Sequence, residues 1–171
     1  MLSLMMGDFM KKLTFEEISQ DIINKDKYLS LKNDYHHGLT RYIHSIRVAK
    51  YTYKISKLLH LNYISATKGA LLHDYFNEAE YLDKRWLDKP RIHPFLSLNN
   101  ASKEYNLTAM EQNIIMTHMF PIGGIKPLYL ESWVVTIVDK SVATYEYFNF
   151  KFKDKFTLWI VFVINFLSIK L

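Results

Sequence analysis

The hydrophobic and polar positions along this chain repeat mainly with the period of an α-helix, about 3.6 residues. In the N-terminal segment, residues 1–33, Thr14 precedes two acids and a short apolar stripe, which predicts a capped first helix. A longer second helix is predicted up to Leu59. His44 lies within its apolar stripe and is predicted to point inward. The stripe contains Ile43, Ile46, Ala49 and Tyr53.

The third predicted helix has Ser65 as its cap and carries small residues that let a neighbouring helix approach closely. It includes the adjacent residues His73 and Asp74 and runs into an irregular polar stretch, residues 83–91. His93 stands between two prolines and is predicted to lie in a loop.

A further helix is predicted to begin at Thr108, because Glu111 three residues later completes a capping box. His118 closes this helix, on or beside its apolar face. Residues 131–140 are rich in β-branched side chains, which suits a strand, but the acids from Asp139 onward are at helical spacing and favour a buried helix.

The end of the chain is strongly apolar. Residues 156–169 contain no charged side chain over 14 positions. A bilayer span needs roughly 18–20 apolar residues, so we expect no transmembrane span. The segment 151–171 is predicted to form a buried final helix of the same domain, with an interfacial or partner-binding tail as the alternative. With 171 residues, 49% of them hydrophobic, the chain predicts one all-α domain, a helical bundle whose main part covers residues 34–150.

Composition narrows the classes of function. The chain has no cysteine, which excludes disulfides, thiolate metal sites and thiol nucleophiles, so a metal needs His, Asp, Glu or Asn ligands. The lack of cysteine fits a cytoplasmic protein, and the N-terminus is a poor signal peptide. The formal charge of +5 is spread along the chain without a basic block between stacking aromatics, which argues against nucleic acid as a partner. It allows a mild attraction for phosphate-bearing ligands.

A His and an Asp stand side by side at the end of the apolar run 69–72. Burying both is costly unless something compensates, and a divalent cation compensates His73 and Asp74 together. On its own this dipeptide is a weak motif. For His44 taken alone, a core histidine bonded to a backbone carbonyl is the more common explanation.

The order of these residues along the chain is more informative than any one of them. His44 stands in the sequence His-Ser-x-x-Val, His73 and Asp74 follow on the next helix, and Asp139 stands in Val-Asp-Lys. Over residues 34–146 the chain resembles the HD superfamily of metal-dependent phosphohydrolases. This resemblance implies a helical bundle of the HD-domain type with a bound divalent metal.

The resemblance also implies which residues hold the metal. His93 and His118 are similar to the additional ligands of the subset with two metals, such as the bacterial diadenosine tetraphosphate hydrolases. One departure is Asn77, where a lysine often follows the His-Asp pair by three residues. The implied ligands are His44, His73, Asp74 and Asp139 for one ion, and His93, His118 and a bridging Asp74 for the other.

The implied reaction is hydrolysis of a phosphate ester. His73 and Asp74 form its catalytic centre, where a water between the ions loses a proton near neutral pH and the metal-bound hydroxide attacks phosphorus. Donors without sulfur suit Mn, Fe, Co, Ni or Mg, and both one ion and two ions per chain remain open.

Three charged residues lie near these ligands in the sequence. Arg47 follows His44 by one helical turn and Lys140 adjoins Asp139, so both are candidates for holding substrate phosphate, with exposed charges as the alternative. Glu146 is expected to orient a ligand or contact substrate, or else to be a solvated surface acid. The remaining histidines are expected at loop or surface positions: His36, His37 and His60.

We therefore expect a phosphohydrolase that acts on a nucleotide or another small phosphate ester. The first alternative is a catalytically silent HD module that binds metal or nucleotide as a sensor or interaction domain, although the filled ligand positions favour an enzyme. The second is an oxygenase, because a di-iron site in this fold also activates oxygen. The expected partner is a small phosphorylated substrate, and the oligomeric state stays open.

Overall fold

A computed structural model describes residues 12–36, 39–81, 84–85 and 87–168, without the side chains of residues 35–36, 81 and 152–168. These residues form an all-α, single-domain bundle, as predicted. A two-stranded antiparallel pair, β1 (Tyr35–His36) and β2 (Leu39–Thr40), precedes the third helix. The seven α-helices of the described chain are α1 (Phe15–Ile23), α2 (Asp26–Ser30), α3 (Arg41–Leu58), α4 (Tyr63–Leu72), α5 (Lys89–Glu104), α6 (Ala109–Thr117) and α7 (Leu130–Ser168).

The predicted cap at Thr14 and the predicted capping box at Thr108 are both present, and Thr14 also forms a capping box. The backbone N–H of Glu17 donates to Thr14 Oγ1 at 3.2 Å, and the backbone N–H of Thr14 donates to Glu17 Oε2 at 2.9 Å. Thr108 and Glu111 make the same reciprocal pair at the start of α6. The predicted cap Ser65 is wrong, because α4 begins earlier and the side chain of Asn62 accepts from the backbone N–H of Ser65.

The buried face of α3 differs from the predicted apolar stripe. Ile43 is 41% exposed, and Ile46 and Tyr53 are only partly buried. The difference arises because small hydroxyl and alanine side chains let α4, with its own small residues, lie close to α3. His44 is buried as predicted. The buried residues of α3 are Arg41, His44, Ser45, Val48, Ala49, Thr52 and Ser56.

A glycine brings α4 against α6. A Cβ atom at Gly69 would lie 2.7 Å from Ile114 Cγ2, so a larger residue needs α6 to move. This close approach places the ends of the two helices side by side. His73 follows the last residue of α4, and His118 follows the last residue of α6.

The loop prediction for His93 is wrong, because α5 begins at Lys89 and includes it. Pro90 lies in the first turn of the helix, where backbone N–H groups have no partner within the helix, so its lack of an N–H costs no hydrogen bond. Pro94 lies inside the helix, where it removes one backbone hydrogen bond. His93 and Pro94 are both buried, so the surrounding packing holds α5 together across this gap.

The last helix is longer than predicted. α7 runs without a break for 39 residues, so residue 151 is no helix boundary, and Asp139 lies in a buried helix rather than a strand. α7 runs antiparallel to α3, because His44 meets Asp139 while Asn62, beyond the end of α3, meets Glu131. The predicted packing of residues 151–171 lies largely outside the described side chains. Among the described residues, no helix has the length and apolarity needed to cross a membrane.

Candidate metal centre

Five helices bring the six predicted ligands together. The ends of α4 and α6 meet the inner faces of α3, α5 and α7 at one point in the bundle. Every one of these side chains is buried, with at most 9% of the residue exposed. The six residues, called the ligand cluster below, are His44, His73, Asp74, His93, His118 and Asp139.

One half of the ligand cluster contains His44, His73 and Asp139. Asp139 Oδ1 lies 3.0 Å from His44 Nε2 and 3.5 Å from His73 Nε2. One possible ligand atom from each residue lies within 4.8 Å of the others, so this buried group can hold a metal ion.

The other half contains His73, Asp74 and His118, whose possible ligand atoms also lie within 4.8 Å of one another. Asp74 Oδ1 lies 3.5 Å from His93 Nε2 and 3.6 Å from His118 Nε2. Its other oxygen, Oδ2, lies 3.7 Å from His73 Nε2. Asp74 therefore turns Oδ1 toward His93 and His118, while Oδ2 lies between His73 and Arg41.

The four histidines all turn Nε2 into the cluster, because each Nδ1 makes a hydrogen bond on the outer side of the ring. A backbone carbonyl only accepts hydrogen bonds, so the Nδ1 of His73, His93 and His118 carries a hydrogen and Nε2 is the possible metal donor. Burial lowers the pKa of His73, but the charge of Asp74 and a hydrogen bond to Asp139 outweigh it and raise that pKa, so a metal at this ring would take the place of a proton. The partners of Nδ1 are Glu146 Oε2 for His44 (2.7 Å), Ala70 O for His73 (2.7 Å), Lys89 O for His93 (3.1 Å) and Ile115 O for His118 (2.7 Å).

Several of these inward atoms fit a cation better than a hydrogen bond. His73 Nε2 and Asp74 Oδ1 are buried without a hydrogen-bond partner among the described residues. His93 Nε2 and His118 Nε2 face each other at 2.7 Å. Burial lowers the pKa of both rings, that of His118 to about 3, so neither nitrogen carries a hydrogen for the other. Two lone pairs at this distance are compatible with a cation that both nitrogens bind.

The carboxylates of the cluster are charged. Burial favours the neutral acid, but His73 and the neighbouring cationic groups outweigh it and hold the pKa of Asp74 well below its usual range. Hydrogen bonding to His44 does the same for Asp139. These charges also affect His44, where hydrogen bonds to Asp139 and Glu146 outweigh burial and raise the pKa to about 10.

Glu146 holds His44 in place. Its Oε2 accepts from His44 Nδ1 at 2.7 Å, and its Oε1 accepts from Arg47 NH1 at 2.5 Å. Glu146 is 3% exposed, so the surface alternative for this acid is wrong. Arg47 lies behind His44, on the opposite side of the ring from the cluster. Its predicted role in holding phosphate stays a prediction.

Lys140 lies at the edge of the cluster. Its Nζ is 3.9 Å from Asp139 Oδ2 and donates to the backbone carbonyl of His118 at 2.7 Å. Burial lowers the pKa of Lys140. The side chain remains 35% exposed, so this amine can face both the cluster and solvent.

Arg41 is a site residue that the sequence reading missed. It is 1% exposed, lies 3.8 Å from Asp74 Oδ2 through NH1, and pairs with Glu78 through NH2. Its guanidinium carbon lies 4.0 Å from the centre of the Phe76 ring, and that ring stacks on His93. The available signal was its position three residues before His44, on the same side of α3.

The other sequence positions lie apart from the cluster. The side chain of Asn77, which stands where the resemblance implies a lysine, accepts a hydrogen bond from Ser30 Oγ at 3.4 Å. The cation next to Asp74 is instead Arg41. His60 is exposed and has a left-handed backbone with φ of 55°, as predicted for a surface position. The side chains of His36 and His37 are outside the described residues.

Replacing Glu146 tests whether this acid positions His44. We expect Glu146→Gln to weaken Mn²⁺ binding by about 10–100-fold, because partners behind a metal ligand have effects of that size. Competition of the protein with a chromophoric chelator measures the affinity. Glu131→Gln is the matched control, since Glu131 is also buried on α7 but bonds Asn62. Equal affinities of Glu146→Gln and wild type contradict this role.

Comparison of the chain with protein-family models, with curated proteins and with solved structures found no match. The geometry of the ligand cluster is therefore the basis for a functional proposal. That geometry consists of four inward imidazole nitrogens and two charged carboxylates, all buried.

Proposed function

We propose that this protein is a metal-dependent phosphohydrolase of the HD superfamily type, acting on a nucleotide or another small phosphate ester. One observation carries the proposal. The six residues that the family resemblance names, spread over 96 positions of the chain from 44 to 139, converge in one buried cluster with every Nε2 turned inward. A set of unrelated core histidines has no reason to meet in this way.

The residue types support divalent metals that prefer nitrogen and oxygen donors, namely Mn, Fe, Co, Ni or Mg, with one or two ions per chain. Such a metal supplies an acidified water for attack on phosphorus and offsets charge on the phosphoryl group. Asp74 turns Oδ1 toward His93 and His118 and Oδ2 toward His73, the histidine that both ligand groups share. Lys140 is placed to receive a phosphate oxygen at the edge, and Arg41 balances the charge of Asp74 from behind.

A silent metal-binding or nucleotide-binding module is the second candidate. This candidate is favoured because both cations that were predicted to bind phosphate already bond to other groups of the protein. Arg47 binds Glu146, and Lys140 binds the carbonyl of His118.

Metal loading followed by an activity screen tests the proposal. We expect the chain reconstituted with Mn²⁺ or Fe²⁺ to hold about two ions, counted by mass spectrometry, since the cluster has two overlapping ligand groups. The loaded protein should release phosphate from a nucleotide, a dinucleoside polyphosphate or p-nitrophenyl phosphate, and a chelator should stop the release.

The outcomes separate the candidates. A content near one ion makes His93 and His118 substrate contacts and leaves a mononuclear hydrolase. Bound metal without phosphate release on any of these substrates favours the silent module. Dioxygen consumption by the Fe²⁺ form that the Mn²⁺ form lacks favours an oxygenase. A protein that binds no metal contradicts the hydrolase, the oxygenase and a metal-binding module.

A further inference from the structure

A cavity of about 310 Å³ lies in the groove between α3 and α7, and none of the six cluster residues lines it. Its walls are mainly apolar, with Tyr51 and Ile55 from α3 and Ile137, Val142 and Tyr145 from α7. Ile137 is 59% exposed and Tyr145 is 61% exposed, so these walls are open to solvent. Small-molecule sites begin at volumes of roughly 300 Å³ and have apolar and aromatic walls of this kind.

One charged side chain, Arg47, lines the cavity, and no carboxylate is among its described lining residues. The side chain of Arg47 is 33% exposed, and its NH1 donates to Glu146 at 2.5 Å. A guanidinium carries five N–H donors in a planar fork, so the contact with Glu146 leaves donors for a second oxyanion. The groove therefore combines an apolar surface with a cationic end.

We propose that this groove binds a small amphipathic oxyanion. The apolar body of the ligand packs between Tyr51 and Tyr145, and its carboxylate or phosphate head group pairs with Arg47. The charge of the lining selects this class, because a neutral apolar molecule leaves Arg47 without a new partner and a cation meets a like charge. The volume limits the ligand to about the size of a medium-length acyl chain.

A ligand in the groove can affect the ligand cluster through two contacts, from Arg47 to Glu146 and from Glu146 to His44. The head group binds donors of Arg47 that Glu146 leaves open, so both acids share one guanidinium. Glu146 holds His44 Nδ1 at 2.7 Å, so a change in its position changes how His44 presents Nε2. This coupling rests on the proposed metal centre, whereas binding in the groove does not.

Calorimetric titration of the metal-free full chain tests the binding. The probes are octanoate, octyl phosphate, octyltrimethylammonium and octanol, which share one apolar chain and differ in head group. We expect both anions to bind at one site per chain, and the cation to bind at least about tenfold more weakly, as one charge-assisted hydrogen bond predicts. A preference between the two anions identifies the head group.

Three variants locate the site. Arg47→Gln should weaken the binding of octanoate by about tenfold and leave the binding of octanol unchanged, because only the charged head group loses its partner. Ser141→Trp places an indole in the cavity and should weaken the binding of all four probes by at least about tenfold. Thr144→Trp is the matched control, since Thr144 is exposed on α7 and does not line the cavity, and should bind as wild type. Circular dichroism establishes that each variant is folded.

Equal affinity for octanoate and octyltrimethylammonium overturns the proposal, as does octanoate binding that Ser141→Trp leaves unchanged. A wild-type dimer in sedimentation velocity that Ser141→Trp converts to a monomer also overturns it, because a second copy then covers the groove. None of these titrations contains metal, so their failure is distinct from failure of the phosphohydrolase proposal.

Discussion

Asp74→Asn is expected to remove most bound metal and to lower phosphate release by at least about a hundredfold. The carboxylate of Asp74 lies within 3.7 Å of three of the cluster histidines, including His73, which both ligand groups share, so a neutral amide should weaken metal binding strongly. Mutation of a residue that hydrogen-bonds a metal ligand changes metal affinity by about 10–100-fold, and mutation of a bridging ligand should have a larger effect. Mass spectrometry gives the metal content, and phosphate release gives the activity.

A stability measurement makes this test independent of any substrate. Mn²⁺ at about a hundred times its Kd should stabilise the wild-type fold by about 2.7 kcal/mol, because it binds the native state only. Asp74→Asn should show no such increase. Asp21→Asn, an exposed carboxylate on α1, is the matched control and should behave as wild type. Full metal-dependent stabilisation of Asp74→Asn contradicts the bridging role.

Arg41→Met is expected to destabilise the metal-free protein by about 3–5 kcal/mol. Arg41 and Asp74 are both buried, and loss of Arg41 removes a permanently charged cation beside this carboxylate. Methionine keeps an unbranched apolar side chain in contact with Phe76, so the change removes mainly the charge. Denaturant unfolding in the presence of a chelator measures the free energy of unfolding.

Two comparisons separate charge from packing. Arg91→Met removes an exposed arginine on α5 and should change stability by less than about 0.5 kcal/mol. In an Asp74→Asn background, Arg41→Met should be clearly less destabilising, because the buried carboxylate is gone. If both backgrounds lose the same stability, the guanidinium acts through packing alone.

The sequence predicted the features that depend on neighbours along the chain. The cap at Thr14 and the capping box of Thr108 with Glu111 depend on residues at most three positions away, and both are present. His44 and Asp139 were predicted to point inward because each lies among apolar residues at helical spacing, and both are buried. Local patterns of this kind also gave the all-α class.

The features that the sequence did not predict depend on distant parts of the chain. Arginine is rarely buried, and Arg41 is buried only because Asp74 and Glu78, more than thirty residues away, supply its partners. His93 was placed in a loop from its flanking prolines, yet burial within the bundle keeps it helical. The inner face of α3 was misplaced because its small hydroxyl residues are not apolar, and only contact with α4 explains their burial.

The ends of α4 and α6 have an electrostatic consequence for the order in which ligands bind. His73 and His118 occupy the C-terminal cap positions of these two helices. Each helix carries roughly half a negative charge at that end, so two helix dipoles present their negative poles to the same point. This field attracts a divalent cation and disfavours a phosphate in the metal-free centre. If the proposed function is correct, we expect metal to enter first and an anionic substrate to follow only after the cation has reversed the sign of the local potential.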